Sequence, residues 1–162
     1  MNRERGFSLM SFIESIRTVL SKYAVFNGRA RRSEYWWYTL AVAIVSAILS
    51  AVLIAPGYSA YMTSTMEWSM AGDPAAPMPA MPGSLVTGYL IMSLVNLALL
   101  LPSLGVTVRR LHDTGRSGFW IFLGLVPIVG GIILIVWEAS AGTPGPNQFG
   151  PDPKAVEQTA AV

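Results

Sequence analysis

Three long apolar segments dominate the pattern of hydrophobic and polar positions along the chain. Residues 36–55 form a run of 20 residues without charge, glycine or proline. As a helix this run is about 30 Å long, which matches the hydrocarbon core of a bilayer. Residues 85–108 are likewise uncharged and slightly longer, a length that some tilt accommodates. Both segments therefore predict membrane-spanning helices.

The third apolar segment, residues 119–137, is interrupted by Pro127, Gly130 and Gly131. Its 19 residues give about 28 Å of helical rise, enough for another crossing if the helix continues through the proline. The alternative is a re-entrant hairpin that turns at Pro127. Bare turn backbone in mid-membrane costs several kcal/mol per unsatisfied group unless other helices cover it. We therefore expect a full span, with the hairpin as the alternative.

The segments that flank the spans carry different patterns. Before the first span, apolar residues recur at the three- and four-residue spacing of an amphipathic helix: Phe12, Ile13, Ile16, Val19, Leu20 and Tyr23. We expect this helix to follow an N-cap at Ser8 and to lie along the cytoplasmic membrane face. After the third segment, glycine and proline are so dense over residues 142–153 that an extended, turn-rich tail is predicted.

Basic residues are distributed unevenly among the polar segments. Residues 1–35 hold seven Lys or Arg, residues 56–84 none, residues 109–118 three, and the tail from 138 onward one. Under the positive-inside rule this alternation predicts three spans, with a cytoplasmic N-terminus and a C-terminus on the opposite side of the membrane. The predicted organisation is a cytoplasmic basic region (1–35), a membrane domain (36–153) with an outer connection (56–84) and a cytoplasmic loop (109–118), and a disordered tail (154–162).

Composition agrees with an all-α integral membrane protein. The chain is 52% hydrophobic and 12% charged, whereas a soluble protein has about 25% charged residues. There is no cysteine, which excludes disulfides, zinc–thiolate sites and iron–sulfur clusters. The formal net charge of +2 is too small to indicate a nucleic-acid partner, and we expect none.

The most polar internal segment, VRRLHDTGRSGFW at residues 108–120, contains the only histidine. His112, Asp113 and Ser117 are the residue types of a hydrolytic triad, but neighbours in one short loop rarely reach triad geometry. A metal site is disfavoured because one histidine and no cysteine leave few good ligands. We therefore predict neither an enzyme nor a resident cofactor.

The arginines at the two cytoplasmic loops indicate a different role. Arginine beside an apolar span lays its stem along lipid and reaches anionic headgroups, worth about 1 kcal/mol each. Glu34 and Asp113 are placed to pair with these arginines across the loops. We name the predicted set the cytoplasmic platform: Arg29, Arg31, Arg32, Glu34, Arg109, Arg110, His112, Asp113 and Arg116. Lipid-solvated arginines without cross-pairing remain the alternative.

Within the membrane, small residues form one face of the first span, an arrangement that lets helices approach closely within the chain or in a homo-oligomer. They include Ala43, Ala47, Ser50 and Ala51. Asn96, near the middle of the second span, predicts an interhelical hydrogen bond.

Methionines mark the outer connection. Met62, Met66 and Met70 repeat every four residues, and thioethers are soft ligands suited to Cu(I). An adaptable apolar surface at the membrane boundary explains them equally well without metal. We predict no metal site here and keep Cu(I) as the alternative.

Three stretches together resemble a known family: FNGRARRSEYWWY (26–38), LPSLGVTVRRLHDTGRSGFW (101–120) and LGLVPIVGGIILIVWEASAGTPGPNQFGPDP (123–153). In these stretches the sequence resembles the domain-of-unknown-function 805 family of small bacterial inner-membrane proteins. The resemblance implies an all-helical inner-membrane protein with no established activity. The family's motif positions, without assigned roles, are Gly28, Arg29, Glu34, Trp36, Arg109, Arg110, Leu111, His112, Asp113, Gly115, Ser117 and Gly118.

These observations favour a structural or partner-binding membrane component that acts through the cytoplasmic platform. The expected partners are anionic lipid headgroups, with a second copy of the chain or another membrane protein as further candidates. The alternative is a small oligomeric channel or transport accessory protein, with Asn96 and the glycines of the third segment lining a path.

Overall fold

The computed structural model describes residues 11–73 and 75–155. Across these ranges the chain is helical and contains no strand, only an isolated bridge between Asn147 and Gly150. The helices are α1 (Phe12–Ser21), α2 (Arg32–Leu49), a π-helical turn (Ser50–Ile54), α3 (Ala55–Ala71), α4 (Gly83–Asp113), a 3₁₀ helix (Gly118–Leu125) and α5 (Val129–Ala139). They form two compact units: a terminal unit, the described parts of Met1–Ala41 and Leu100–Val162, and a central unit, Val42–Leu99.

Helix α1 begins at a capping box. The Ser11 hydroxyl accepts from the Glu14 backbone N–H at 3.2 Å, and the Glu14 carboxylate accepts from the Ser11 N–H at 2.9 Å. This exchange satisfies two backbone donors at the start of the helix. The expected cap, Ser8, lies outside the described residues. Val19 is buried in the terminal unit, whereas Ile13 is exposed, so α1 packs with one side and leaves apolar surface on another.

Helix α2, the π-helical turn and α3 continue as one helical stretch of 40 residues, Arg32–Ala71. Pro56 has no N–H and its ring crowds the carbonyl four residues earlier. The π-helical turn accommodates this because the Ala55 N–H bonds to the Ser50 carbonyl, one residue further back than in an α-helix. The outer connection predicted over 56–84 is therefore helical as far as Ala71. Residues 58–71 contain no glycine or proline that would stop the helix.

Two helices among the described residues are long and apolar enough to cross a membrane, Arg32–Ala71 and Gly83–Asp113. In the central unit they approach at glycines. A Cβ added to Gly57 would lie 3.2 Å from the Leu85 Cβ, and one on Gly88 would lie 3.1 Å from the Leu53 carbonyl carbon. Glycine at these positions therefore lets the two backbones come close.

The side chains predicted to pack in the membrane are not the ones that make this contact. Ala43, Ala47 and Ala51 are exposed, and Ser50 is half-buried. Asn96 is also exposed on α4. The contact within the chain uses the glycines instead, and packing between copies through the predicted residues stays a prediction.

The third apolar segment is not a single helix. The 3₁₀ helix and α5 are separated by a turn at Pro127 and Ile128. The two arms fold back on each other, so that the Trp120 and Trp137 rings meet edge to face with centroids 5.6 Å apart. The prediction of a third full span was wrong, and the structure has the hairpin. We call residues 118–139 the helical hairpin. Gly130 makes the close return possible, because a Cβ there would overlap the Leu123 carbonyl.

Candidate functional site

Charged side chains of the terminal unit converge at the C-terminal end of α4. Arg109 is 1% exposed, Arg110 0% and Asp113 4%. Charged residues are almost never buried to this degree unless they are paired and hydrogen-bonded. We name the buried set the arginine cluster: Arg29, Glu34, Arg109, Arg110, Asp113 and Glu138.

Asp113 lies at the centre of the arginine cluster and binds two guanidinium groups. Its Oδ1 accepts from Arg29 Nε at 2.9 Å, and its Oδ2 accepts from Arg110 Nη1. The Asp113 backbone carbonyl accepts from both the N–H and the hydroxyl of Thr143, each at 2.8 Å. Gly142 packs directly on the carboxylate and leaves no room for a Cβ. One residue thus joins the N-terminal segment, α4 and the tail.

The two arginines on Asp113 also bind backbone carbonyls. Arg29 donates to Thr143 at 2.5 Å and to Gly145 at 2.6 Å. Arg110 donates through Nε to the Glu138 carbonyl at 2.8 Å and through Nη2 to the Ser140 carbonyl. A guanidinium has five donors in a planar fork, which suits it to crosslink several acceptors. Arg110 also stabilises the negative end of the α5 dipole.

A second ion pair joins α2 to α4. Arg109 Nη1 lies 2.6 Å from Glu34 Oε1, and both side chains are buried. The Arg109 backbone carbonyl accepts from the Ala30 N–H at 3.0 Å, which fixes the segment leading into α2. The structure therefore brings together the two acids of the predicted platform with three of its arginines.

Glu138 is a cluster member that sequence reasoning missed. Its Oε2 accepts from the Tyr35 hydroxyl at 2.5 Å, and the side chain is buried. Burial raises the pKa of this carboxyl, while the Tyr35 hydrogen bond and the charge of Arg110 oppose the rise. The full span predicted over 119–137 placed Glu138 on the opposite membrane face. The sequence carried no signal for its position, because the uncharged run of 21 residues, 117–137, between Glu138 and the arginine loop fits a full span as well as a hairpin.

His112 is held between the N-terminal segment and the tail. Its ring stacks on Phe149 with centroids 4.0 Å apart and 3° between the planes. Nδ1 lies 3.1 Å from the Gly28 carbonyl, and the His112 carbonyl accepts from the Asn147 amide at 3.0 Å. Ser117 instead caps the 3₁₀ helix, since its hydroxyl accepts from the Phe119 N–H. The three triad-like residue types therefore have separate partners.

The other platform arginines lie at the edge of the cluster. Arg31 donates through Nε to the Pro153 carbonyl at 2.7 Å. Arg32 is exposed. The Arg116 guanidinium lies 4.5 Å from the centroid of the Trp137 ring, a cation–π contact at the base of the helical hairpin. The six arginines thus divide into three that are buried and three at the edge.

The tail that docks on the cluster is folded by Asx turns. The Asn147 side chain accepts from the Phe149 N–H at 2.9 Å. Asp152 accepts from the Lys154 N–H at 2.9 Å and from the Gly145 N–H at 3.0 Å. The hydrogen bond from the Lys154 backbone N–H is the main reason that the pKa of Asp152 is lowered. The disordered tail predicted from 154 onward lies, beyond residue 155, outside the described residues.

Metal ligands do not converge in the part of the chain that the structure describes, where no three His, Cys, Asp or Glu side chains form a group that could hold an ion. Met62, Met66 and Met70 all lie on α3 and are exposed.

Fold and site together define a helical protein with two apolar helices of membrane-crossing length and a buried arginine–carboxylate cluster at the end of one of them. The chain belongs to the family described as Protein of unknown function (DUF805), whose model matches residues 23–151. The family predicted from the motifs is thereby confirmed, and the match includes the whole arginine cluster.

Curated relatives come from Escherichia coli. The chain is 40% identical over 136 residues to "Inner membrane protein YhaH" of strain K12, a match that covers 84% of this chain and 93% of YhaH. It is 39% identical over 137 residues to "Inner membrane protein YhaI", covering 85% and 92%. A shorter match, 34% identical over 87 residues, covers 38% of this chain and 60% of "Uncharacterized protein YiiR". No solved structure matches the chain.

Proposed function

We propose that the protein is an inner-membrane protein with two membrane-spanning helices, in which the arginine cluster closes the cytoplasmic end. The apolar parts of Arg32–Ala71 and Gly83–Asp113 have the length and composition to cross a bilayer. The relatives YhaH and YhaI, which match over 84% and 85% of this chain, are named inner membrane proteins. The apolar helices and the names of the relatives both support a location in the inner membrane.

The charge distribution and the docked tail support the proposed orientation. The basic residues of 1–35 and of 109–118 favour the cytoplasmic side. Because the tail binds Arg29, Arg31 and Asp113, it belongs to the same side as those residues. The proposed C-terminus is therefore cytoplasmic and replaces the periplasmic one expected from three spans.

The proposed role is structural, as a stable cytoplasmic cap on the membrane helices. The observation that carries it is the burial of Arg29, Arg109 and Arg110, each of which donates to a carboxylate and to carbonyls of the same chain. Among their described donors, Arg109 Nη2 is buried without a hydrogen-bond partner. Buried arginines of this kind are not displayed to an outside partner. Contact with anionic headgroups falls instead to edge residues such as Arg32 and Arg116.

Thermal stabilisation by lipid tests this division of roles. We expect the protein purified from membranes to be stabilised more by phosphatidylglycerol than by phosphatidylcholine. The double variant Arg32→Gln with Arg116→Gln should lose most of that difference, because the edge charges are gone. The matched control, Lys154→Gln, removes one exposed tail charge and should keep it. An equal lipid response in all three proteins would contradict the proposal.

A further inference from the structure

We propose that the helical hairpin inserts into the hydrocarbon of the cytoplasmic leaflet and returns to the cytoplasmic face without crossing the membrane. Its tip exposes large apolar side chains, with Leu125 80% and Ile128 81% exposed. Residues 117–137 contain no charged side chain. The inference rests on the proposed membrane location and adds a lipid-binding element to it.

The length of the hairpin matches one leaflet. Helix α5 has 11 residues, which give about 16 Å of rise. The 3₁₀ helix has eight residues, which also give about 16 Å at its steeper rise. A hydrocarbon core about 30 Å thick has a midplane about 15 Å from either face. Two arms of this length bring the tip to the midplane, whereas neither arm alone crosses.

Three backbone N–H groups of the turn bond to carbonyls of the hairpin itself. The Val126 N–H bonds to the Leu123 carbonyl at 2.9 Å, and the Gly130 N–H bonds to the Val126 carbonyl at 3.2 Å. The Val129 N–H bonds to the Pro127 carbonyl at 2.7 Å, which makes a γ-turn centred on Ile128. Pro127 itself has no N–H to satisfy. Unsatisfied backbone groups are what makes a turn costly in hydrocarbon, and these bonds reduce that cost.

Ile128 takes the rare positive-φ form of that turn, with φ 63° and ψ −64°. Such a conformation is costly for a β-branched residue. Glycine or asparagine would fit this backbone conformation better, but neither has an apolar side chain that could pack against lipid. An isoleucine at this position therefore supports contact between the tip and the acyl chains.

The base of the hairpin carries groups suited to the membrane–water interface. Trp120 and Trp137 lie at the base, one on each arm, and Arg116 stacks on Trp137. Tryptophan and arginine are favoured at headgroup depth. A Cβ on Gly118 would lie 2.6 Å from Val108, so the first arm starts beside the end of α4 and not beyond it. These contacts place the base at the level of the arginine cluster.

Site-directed spin labelling tests the insertion directly, because the chain has no native cysteine. Single cysteines replace Leu125 at the tip, Val45 in the first span and Met70 on α3, and each variant is reconstituted in phosphatidylethanolamine–phosphatidylglycerol vesicles. Collision with oxygen reports lipid, and collision with a water-soluble nickel complex reports water. Ile128→Cys is a second tip variant in case Leu125→Cys fails to fold. Lys154→Cys is treated with an impermeant maleimide in oriented membranes.

Insertion predicts that the Leu125 label resembles the Val45 label, with high oxygen collision and a large loss of nickel collision relative to Met70. It also predicts that Lys154→Cys reacts only from the cytoplasmic side. Nickel collision at Leu125 equal to that at Met70, or shielding from both reagents by a protein neighbour, would overturn the inference. Labelling of Lys154→Cys from the periplasm would overturn it in favour of a full span. Water access at Val45 would instead refute the membrane location itself.

Discussion

Asp113 is the residue whose neutralisation should destabilise the terminal unit most. The substitution Asp113→Asn keeps the size of the side chain and removes the charge that Arg29 and Arg110 share. The new amide also presents a donor to arginines that can only donate. Two cations then remain buried against one neutral side chain.

The expected loss of unfolding free energy follows from the burial of Asp113. Asp113 is 4% exposed, and removing one partner of a buried ion pair costs about 3–5 kcal/mol because the other charge is left uncompensated. Both arginines keep their carbonyl acceptors, which places the expected loss near the lower limit, about 3 kcal/mol.

The assay is reversible unfolding of the purified protein in mixed detergent micelles, followed by tryptophan fluorescence. Trp120 and Trp137 lie in the hairpin that Arg110 holds by its backbone. Glu67→Gln on the exposed side of α3 is the matched control and should stay within about 0.5 kcal/mol of the wild type. An Asp113→Asn variant as stable as that control would refute the assignment of Asp113 as the centre of the cluster.

Three further predictions test the hairpin, the second ion pair and the tail. Gly130→Ala should destabilise the protein by about 1–3 kcal/mol through overlap with the Leu123 carbonyl, while Gly131→Ala, with open space around it, should be neutral or slightly stabilising in the same unfolding assay. A double-mutant cycle with Glu34→Gln and Arg109→Gln should give a coupling energy of about 2 kcal/mol, and additive effects would contradict the pair. The pKa of Asp152 is lower in the folded protein than in the unfolded chain, where it is about 3.9, so the ionised carboxylate stabilises the fold above that pH. This stabilisation is lost as the pH falls through the pKa of the folded protein. The thermal midpoint of Asp152→Asn should therefore fall less steeply with acid than that of the wild type, and parallel curves would count against this.

Hydrophobic patterning could predict the helices but not the hairpin. Residues 119–137 satisfy the length and composition of a span as well as those of two shorter arms. The choice depends on the turn at Pro127 and on the space that Gly130 leaves for the Leu123 carbonyl. That space exists only once the second arm has folded back, so it is a tertiary property that a hydropathy window does not contain.

In the arginine cluster, too, the members close in sequence could be predicted, whereas the member placed by tertiary folding could not. Glu34 and Asp113 could be linked to the arginines because they are close to them in sequence and on the same predicted membrane face. Glu138 could not, since its position depends on the hairpin returning to that face. The outer connection differs for a local reason: the first apolar run ends at residue 55, before Pro56, but the π-helical turn that precedes this proline lets the helix continue.

A pair of C-terminal reporter fusions tests the central claim most directly, that the tail and the arginine cluster share the cytoplasmic face. Green fluorescent protein fluoresces only in the cytoplasm, and alkaline phosphatase is active only in the periplasm. We predict that the fluorescent fusion after Val162 is bright and the phosphatase fusion inactive, as two spans and a re-entrant hairpin require. An active phosphatase with a dark fluorescent fusion would contradict the hairpin topology and the docking of the tail on Asp113.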